Sequence, residues 1–438
     1  MTRSLRILAV ALLAATPLHA EIDIQPVESE QGFSAWLVEE SSIPFVAIEV
    51  IFPGGGVLDA DDALGATSMM TELLSEGAGD LDAQGFAAAV EATAGSVRFN
   101  AGRDSISLTI RALSENRDEV LALARLALTE PRFDEGALER VRAQTIASLE
   151  RDARNPNTIA ARSFNELAFD GHPYARPTDG TPETVAALTR DDIRAAHDAA
   201  LTRDRVIVGA AGDISAEELA RLLDDLLSGL PEATVELPDY AEFTAPGGIT
   251  VVEHPGPQSV VAFGHAGIPR DDDDFIAAFV MNEIFGGGRF GTRLMRELRE
   301  IRGLTYGVGT GLASGQHGDS FQGRLSTDNA RVGEVVGLLR SEWEWLAEGG
   351  ITEADLERVQ TYLTGAYPLR FEGNASIAGI MASMQFQGFD IDYVNVRNDL
   401  VRAVTLDDIQ RVAERMIDPE ALHFVIVGQP QGLEELGF

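Results

Sequence analysis

Cysteine and lysine are both missing from the 438-residue chain. Without cysteine there is no thiol nucleophile, no thiolate metal ligand, no disulfide staple and no lipid-anchored Cys. Without lysine there is neither a Schiff-base amine nor a phosphate-loop lysine, so every one of the 34 basic side chains is arginine. Basic charge is scarce in any case: 70 acidic residues give a formal charge of −36. Nucleic acid would be repelled, because binding it rests on neutralising phosphates, and no polybasic patch exists for an anionic membrane. The acidity is read first as a solvated surface suited to saline surroundings and second as an attraction for basic substrates. A Gly-x-Ser-x-Gly elbow is absent too, which leaves a serine hydrolase of that type unsupported.

Apolar runs of about 20 residues, the length needed to span a bilayer, are also lacking. One shorter run, Ile7 to Ala15, follows Arg3 and Arg6 and precedes the small residue Ala20. That order is the pattern of a secretory signal peptide. The expectation is therefore a signal at 1–20 and a mature protein that is soluble and exported, periplasmic or beyond. What remains, 45% hydrophobic and 24% charged, is the composition of a globular protein.

Three segments occur twice, in the same order and at nearly the same spacing. Phe133-Asp-Glu-Gly-Ala-Leu-Glu-Arg-Val141 returns as Ile351-Thr-Glu-Ala-Asp-Leu-Glu-Arg-Val359, Asp191-Asp192-Ile193 as Asp407-Asp408-Ile409, and Val206-Ile-Val-Gly209 as Val425-Ile-Val-Gly428. Such a long repeat implies a duplicated domain rather than a solenoid, whose periods run about 20 to 50 residues. The Pro- and Gly-rich stretch 231–248 reads as a linker between a domain at 21–230 and another at 249–438.

Within each copy, strand-like and helix-like patterns alternate. Phe45 to Phe52 and Arg98 to Leu113 read as strands, Ala63 to Leu74 and Asn116 to Leu128 as helices. The second copy repeats the order with strands at Ser259 to His265, Thr305 to Leu312 and Asp319 to Ser326, a helix from Asp274 and another over Val332 to Leu346. The fold class expected is α+β: two homologous sandwich domains, each packing helices on a mainly antiparallel sheet.

Metal chemistry finds little support. The six histidines outside the signal, His172, His197, His254, His265, His317 and His423, are scattered, and neither H-x-x-E-H nor H-E-x-x-H occurs. The most specific segment is Phe285-Gly-Gly-Gly-Arg-Phe-Gly-Thr-Arg-Leu-Met-Arg-Glu-Leu-Arg-Glu-Ile-Arg-Gly-Leu-Thr-Tyr-Gly-Val308. It reads as a Gly loop, a short amphipathic helix from about Thr292 to Arg302, a helix end at Gly303 and a strand from Thr305. Arg293 with Glu297 and Arg296 with Glu300 are i,i+4 pairs on what reads as a solvated helix face. Arg299 has no such acid four residues on, and its place at the helix end brings it toward Tyr306, where guanidinium and phenol could donate to a peptide carbonyl or oxyanion.

This segment resembles the C-terminal-domain signature of pitrilysin/insulinase-type peptidases. Gly171-His-Pro-Tyr174, Gly180-Thr-Pro-Glu183 and Val208-Gly209 through Asp213 resemble the first domain of that family, so the likeness covers essentially the mature chain. It implies duplicated α/β sandwich domains enclosing a peptide, with Arg299 and Tyr306 holding the substrate backbone beside a zinc ion. The zinc motif itself is not preserved. Gly65-Ala-Thr-Ser-Met-Met-Thr-Glu-Leu-Leu74 lies in its place, so Ser68 and Glu72 replace the two His ligands and Thr71 replaces the Glu base. A further Glu ligand would fall near Ile146 or Ala147, where there is no acid.

The resemblance thus implies a chain with no metal and no catalytic residue of its own. Its expected partners are a peptide substrate and a homologous, zinc-bearing peptidase subunit, to whose site Arg299 and Tyr306 are brought. Two alternatives stand beside it: a structural or assembly scaffold of the same fold with no part in proteolysis, and a self-sufficient peptidase with an unfamiliar metal site.

Overall fold

The structure, a computed structural model, describes residues 22–434, and the signal expected at 1–20 lies outside them. Two sheets carry the fold. The first contains β1 (Gln25–Glu28), β2 (Ser34–Glu39), β3 (Phe45–Pro53), β4 (Ser96–Ala101), β5 (Ser105–Leu113) and β6 (Ile207–Gly212), in the order β1-β2-β6-β3-β5-β4. The second contains β7 (Gly248–Glu253), β8 (Gln258–Ala266), β9 (Val308–Ser314), β10 (Asp319–Asp328) and β11 (His423–Gly428), in the order β9-β10-β8-β11-β7. Superposing the orders pairs β3 with β8, β5 with β10, β4 with β9, β6 with β11 and β2 with β7. Each sheet is antiparallel except for one matching parallel pair, β2 with β6 and β7 with β11. The duplication read from three short repeats therefore extends to strand order and strand sense, with β1 as an added edge.

Both faces of each sheet are covered, which is why the central strands are buried almost end to end instead of alternating. In the first half, Ile48, Val50 and Phe52 of β3 point to the main core with Met69, Met70 and Leu73 of helix α1 (Ala66–Leu73) and Val120 and Leu121 of α2 (Arg117–Thr129). Helix α3 (Glu135–Asp152) packs beside α1. In the second half, Val261 and Phe263 of β8 meet Ile284 and Phe285 of α5 (Phe275–Phe285) and Leu339 and Trp343 of α6 (Val332–Ala347). The helix α4 (Pro156–Ala168) precedes α5 in the chain but belongs spatially to the other half.

The remaining face of each sheet is covered by a helix from the opposite half. Phe164 and Ala168 of α4 pack on Val260, Ala262, Val425 and Val427 of the second sheet. Following α7 (Glu353–Ala366), helix α8 (Asn374–Phe386) packs Ala378 and Met381 on Ala47 and Ala211 of the first. A side chain at Gly209 of β6 would strike the α8 backbone, 2.3 Å from the Ala378 carbonyl oxygen and 2.7 Å from the Ala382 nitrogen, so only glycine lets the helix sit this close. Gln385 of α8 donates to the Val208 carbonyl at 2.8 Å. The hairpin tips of the two halves also meet. Tyr174 Oη donates to Asp104 Oδ2 at 2.7 Å and accepts from the His317 backbone N–H at 2.9 Å. His172-Pro-Tyr174 is thus a structural turn that clamps the halves together. No helix among the described residues is long and apolar enough to cross a membrane.

Candidate functional site

The helix in the place of the zinc motif is held from its start. Asp59 is buried and accepts from the backbone N–H of Gly65 at 2.8 Å, the N–H of Thr67 at 3.1 Å and the Thr67 hydroxyl at 2.6 Å. Burial pushes its carboxyl up to about 6, against the lowering pull of those bonds and of Arg176. Every polar group of the altered motif is then used locally or stands alone. Ser68 Oγ donates to Asp179 Oδ1 at 3.1 Å. Thr71, only 3% exposed, turns its hydroxyl back to the Thr67 carbonyl at 2.8 Å. Glu72 is at the surface, and its carboxyl is raised by partial burial and then by the like charges of Asp179 and Glu76.

These groups do not fit zinc. One hydroxyl donates to a carboxylate, another to a carbonyl, and among the described residues no imidazole bonds to Ser68, Thr71 or Glu72. On α3, Ile146 packs against the apolar core and Ala147 is exposed, so neither offers a ligand. Among the described residues no three His, Asp or Glu side chains are gathered closely enough to hold an ion. Asp59 and Asp179 escaped the sequence reading. The spacing from Asp59 to the helix start at Gly65 is a loop, not a repeat, and Asp179 lies 111 residues from Ser68.

The Arg and Tyr segment is built differently. After α5, the Gly loop folds back on β9: Thr310 N–H donates to the Gly286 carbonyl at 2.6 Å, and the Thr310 hydroxyl to Asn282 Oδ1 at 2.7 Å. Residues Met295–Ile301 then form a π-helix, whose wider turn is often found at functional sites. The widened turn redistributes the charges expected on a solvated α-helix. Arg293 makes two bonds to the buried Glu342, at 2.6 and 3.0 Å, lies 3.6 Å from Glu297 and stacks on Trp345. Arg296 approaches Glu297 at 3.8 Å rather than Glu300. Arg302 donates to the buried Glu297 at 2.6 Å. Arg293 is therefore a half-buried structural cation on a buried carboxylate, not a solvated surface pair. The π-helix ends at Gly303, whose φ of 60° is the left-handed conformation that glycine adopts without strain.

Arg299 and Tyr306 remain outside this network. The Arg299 guanidinium lies over the ring of Phe290, 4.7 Å from its centre, and forms no ion pair among the described residues. Phe290 is itself 72% exposed. Tyr306 is 87% exposed, and its hydroxyl has no protein partner among the described residues. The guanidinium's ring contact is with Phe290, not with Tyr306, so the two groups, 299 and 306 in the chain, do not bond each other. A pair of unspent donors on an exposed aromatic surface can bind an acceptor supplied from outside.

The chain is similar to known proteins over most of its length. Residues 36–182 match the family described as Insulinase (Peptidase family M16), and residues 187–363 match the Peptidase M16 inactive domain. The chain is 25% identical over 390 residues to a non-peptidase homolog from Helicobacter pylori, covering 89% of this chain and 90% of that protein. An uncharacterized zinc protease of Streptomyces coelicolor is 25% identical over 373 residues, covering 83% and 80%. The solved peptidase M16 inactive domain from Pseudomonas fluorescens superposes with a TM-score of 0.87 at 26% identity, covering 93% of this chain and 98% of that one.

Proposed function

The chain belongs to the insulinase (M16) peptidase family as a homologue of the inactive type, and from that premise we propose that it is the non-catalytic, substrate-binding subunit of an exported heterodimeric peptidase. One observation carries the reading. The polar groups standing in the zinc motif are spent inside the fold or lack imidazole partners, while Arg299 and Tyr306 keep their donors free at the surface. A zinc-bearing homologue supplies the metal site, and this chain supplies the phenol and guanidinium to the peptide backbone held there. Tyr306 donates one hydrogen bond to the carbonyl, which strengthens as the oxygen gains negative charge. Arg299 holds the backbone in both ground state and transition state.

Co-expression with an exported homologue carrying H-x-x-E-H, followed by size measurement, should give a stable heterodimer. Its interface should exceed the roughly 1,200–2,000 Å² of a standard one, since it encloses a peptide. In that complex Tyr306→Phe should lower kcat by about 10²-fold with a smaller change in KM, and Arg299→Ala should worsen both. Wild-type kinetics from both variants would remove the chain from the chemistry and leave it a scaffold.

A further inference from the structure

A cavity of about 1000 Å³ opens in the second half between β9, α5, α8, α9 (Tyr393–Ala403) and the turn Tyr367–Phe371. Arg270, Arg370 and Arg397 line it. In a chain where acids outnumber arginines 70 to 34, many arginines sit on carboxylates, as Arg293 does on Glu342. These three do not. Among the described residues Arg270 donates to the Ser314 carbonyl, at 3.4 Å, and to no carboxylate. Arg397 donates through Nη1 to the Leu363 carbonyl at 3.0 Å and Asn398 Oδ1 at 3.1 Å, and it bonds Tyr393. Of the acids on the wall, Glu283 is taken by Arg289 at 2.8 Å and Glu372 stays exposed at the rim. Asp319 acts on Arg270 only at longer range.

Aromatic rings complete the arrangement. Arg270 lies over Phe275 at 4.9 Å and Phe389 at 5.8 Å, and Arg397 over Tyr367 at 4.6 Å and Phe279 at 5.6 Å. Stacked rings hold a guanidinium by its face and leave most of the N–H edge of Arg270 for a planar acceptor, the geometry that suits a carboxylate, while Arg397 has part of its edge already spent on Leu363, Asn398 and Tyr393. Burial disfavours the charge on both arginines, so each is held at a cost that an incoming anion would offset. The wall on one side is β9, the edge strand of the second sheet. Its residues Thr310 to Leu312 also line a second cavity of about 430 Å³ against α4.

We propose that this cavity binds a peptide segment carrying one carboxylate beside an apolar or aromatic side chain, with Arg270 and Arg397 on the carboxylate and the rings on its neighbour. A single charge is specified because the formal charge of −36 repels a polyanion. The site lies in this chain alone and is tested without a partner, so its failure would leave the role of Arg299 and Tyr306 untouched.

The test is equilibrium binding to the purified chain by fluorescence anisotropy, using hexapeptides with an uncharged label. The first has Phe beside a single Asp and an amidated end, the second has Asn for Asp, and the third has Asn with a free terminal carboxylate. The Asp peptide should bind at least tenfold more tightly than the amidated Asn peptide, and Arg270→Gln should erase that difference. Tight binding of the third peptide would assign the site to chain ends, and weak binding would assign it to acidic side chains. Should Arg270→Gln fail to fold, the exposed Arg370→Gln should still weaken the Asp peptide at least threefold. Equal binding of the Asp and amidated Asn peptides, or affinity unchanged in the arginine variants, would overturn the proposal.

Discussion

The two halves share strand order, strand sense and the reciprocal placement of a covering helix, yet they treat polar side chains in opposite ways. In the first half, Ser68 and Thr71 on α1 bond to Asp179 and to their own helix, and Asp59 is buried to fix the helix start. In the second, Arg293, Glu297 and Glu342 hold the π-helix from beneath, and that support leaves Arg299, Phe290 and Tyr306 facing outward. Duplication has preserved what the apolar residues build and has not constrained what the polar residues do. A fold of this kind can lose one site and keep another because the two draw on different parts of it.

The sharpest way to break the comparison lies inside the Arg/Tyr segment. Arg293→Ala should destabilise the protein by about 3–5 kcal/mol, because it strands the buried Glu342 carboxylate. Urea midpoints at neutral pH would show the loss, and an unchanged midpoint would mean the second half is not held from within as described. Next in size is Gly209→Ala, whose new methyl meets α8 backbone. A loss of about 3 kcal/mol is expected, and no loss would show that the cross-half helix has room to move.

Asp59 distinguishes the halves by pH. Its carboxyl is raised from 3.8 to about 6 in the folded chain, so the folded state binds its proton more tightly than the unfolded state does. The stability it contributes is complete below pH about 4 and is lost as pH rises through about 6. Relative to Asp59→Asn, the wild type should gain up to roughly 3 kcal/mol between pH 7 and 4. Carboxylates such as Glu218 and Asp408, lowered to about 2, act in the opposite sense only below pH about 4. A pH-independent difference between wild type and variant would remove the buried-acid account of α1. The smallest effect is expected where the function is placed: Arg299→Ala and Tyr306→Phe should each change stability by less than about 0.5 kcal/mol. A larger shift would mark these residues as structural.

Much of the architecture was legible because apolar periodicity and three repeats survive in the chain. The strand read at Phe45 to Phe52 and the helix read at Asn116 to Leu128 each lie within a residue of Phe45–Pro53 and Arg117–Thr129. Arg98 to Leu113, read as one strand, is a hairpin broken at Gly102 to Asp104. The signal was there: apolar residues fall on odd positions at Val97 and Phe99 and on even ones at Ile106 and Leu108, a change of phase that a single strand cannot accommodate. The strand expected from Thr305 begins at Val308 because the Thr305 hydroxyl bonds Gly307 at both its N–H and carbonyl, favouring a local turn. Gly248, read as the last residue of the linker, already pairs with His423. The site was legible in part. The absence of H-x-x-E-H and of an acid four residues after Arg299 is plain in the chain, and the placing of Ser68, Thr71 and Glu72 came from the family resemblance, whereas Asp59, Asp179 and the π-helix depend on contacts and backbone winding that spacing does not encode.

The helices exchanged between the halves also set a timetable for folding. Asn374, at the start of α8, donates to the Phe45 carbonyl across 329 residues of chain. At about 5–20 residues per second of synthesis, β3 waits roughly a quarter of a minute to a minute before the helix that covers it exists. Through that interval Ala47, Trp36 and Ala211 have no α8 to pack against, and the first sheet stays open on one side. Native pairing of such separated segments is slow in itself. The nascent first half is thus an unfinished surface until about the last sixth of the chain arrives to close it.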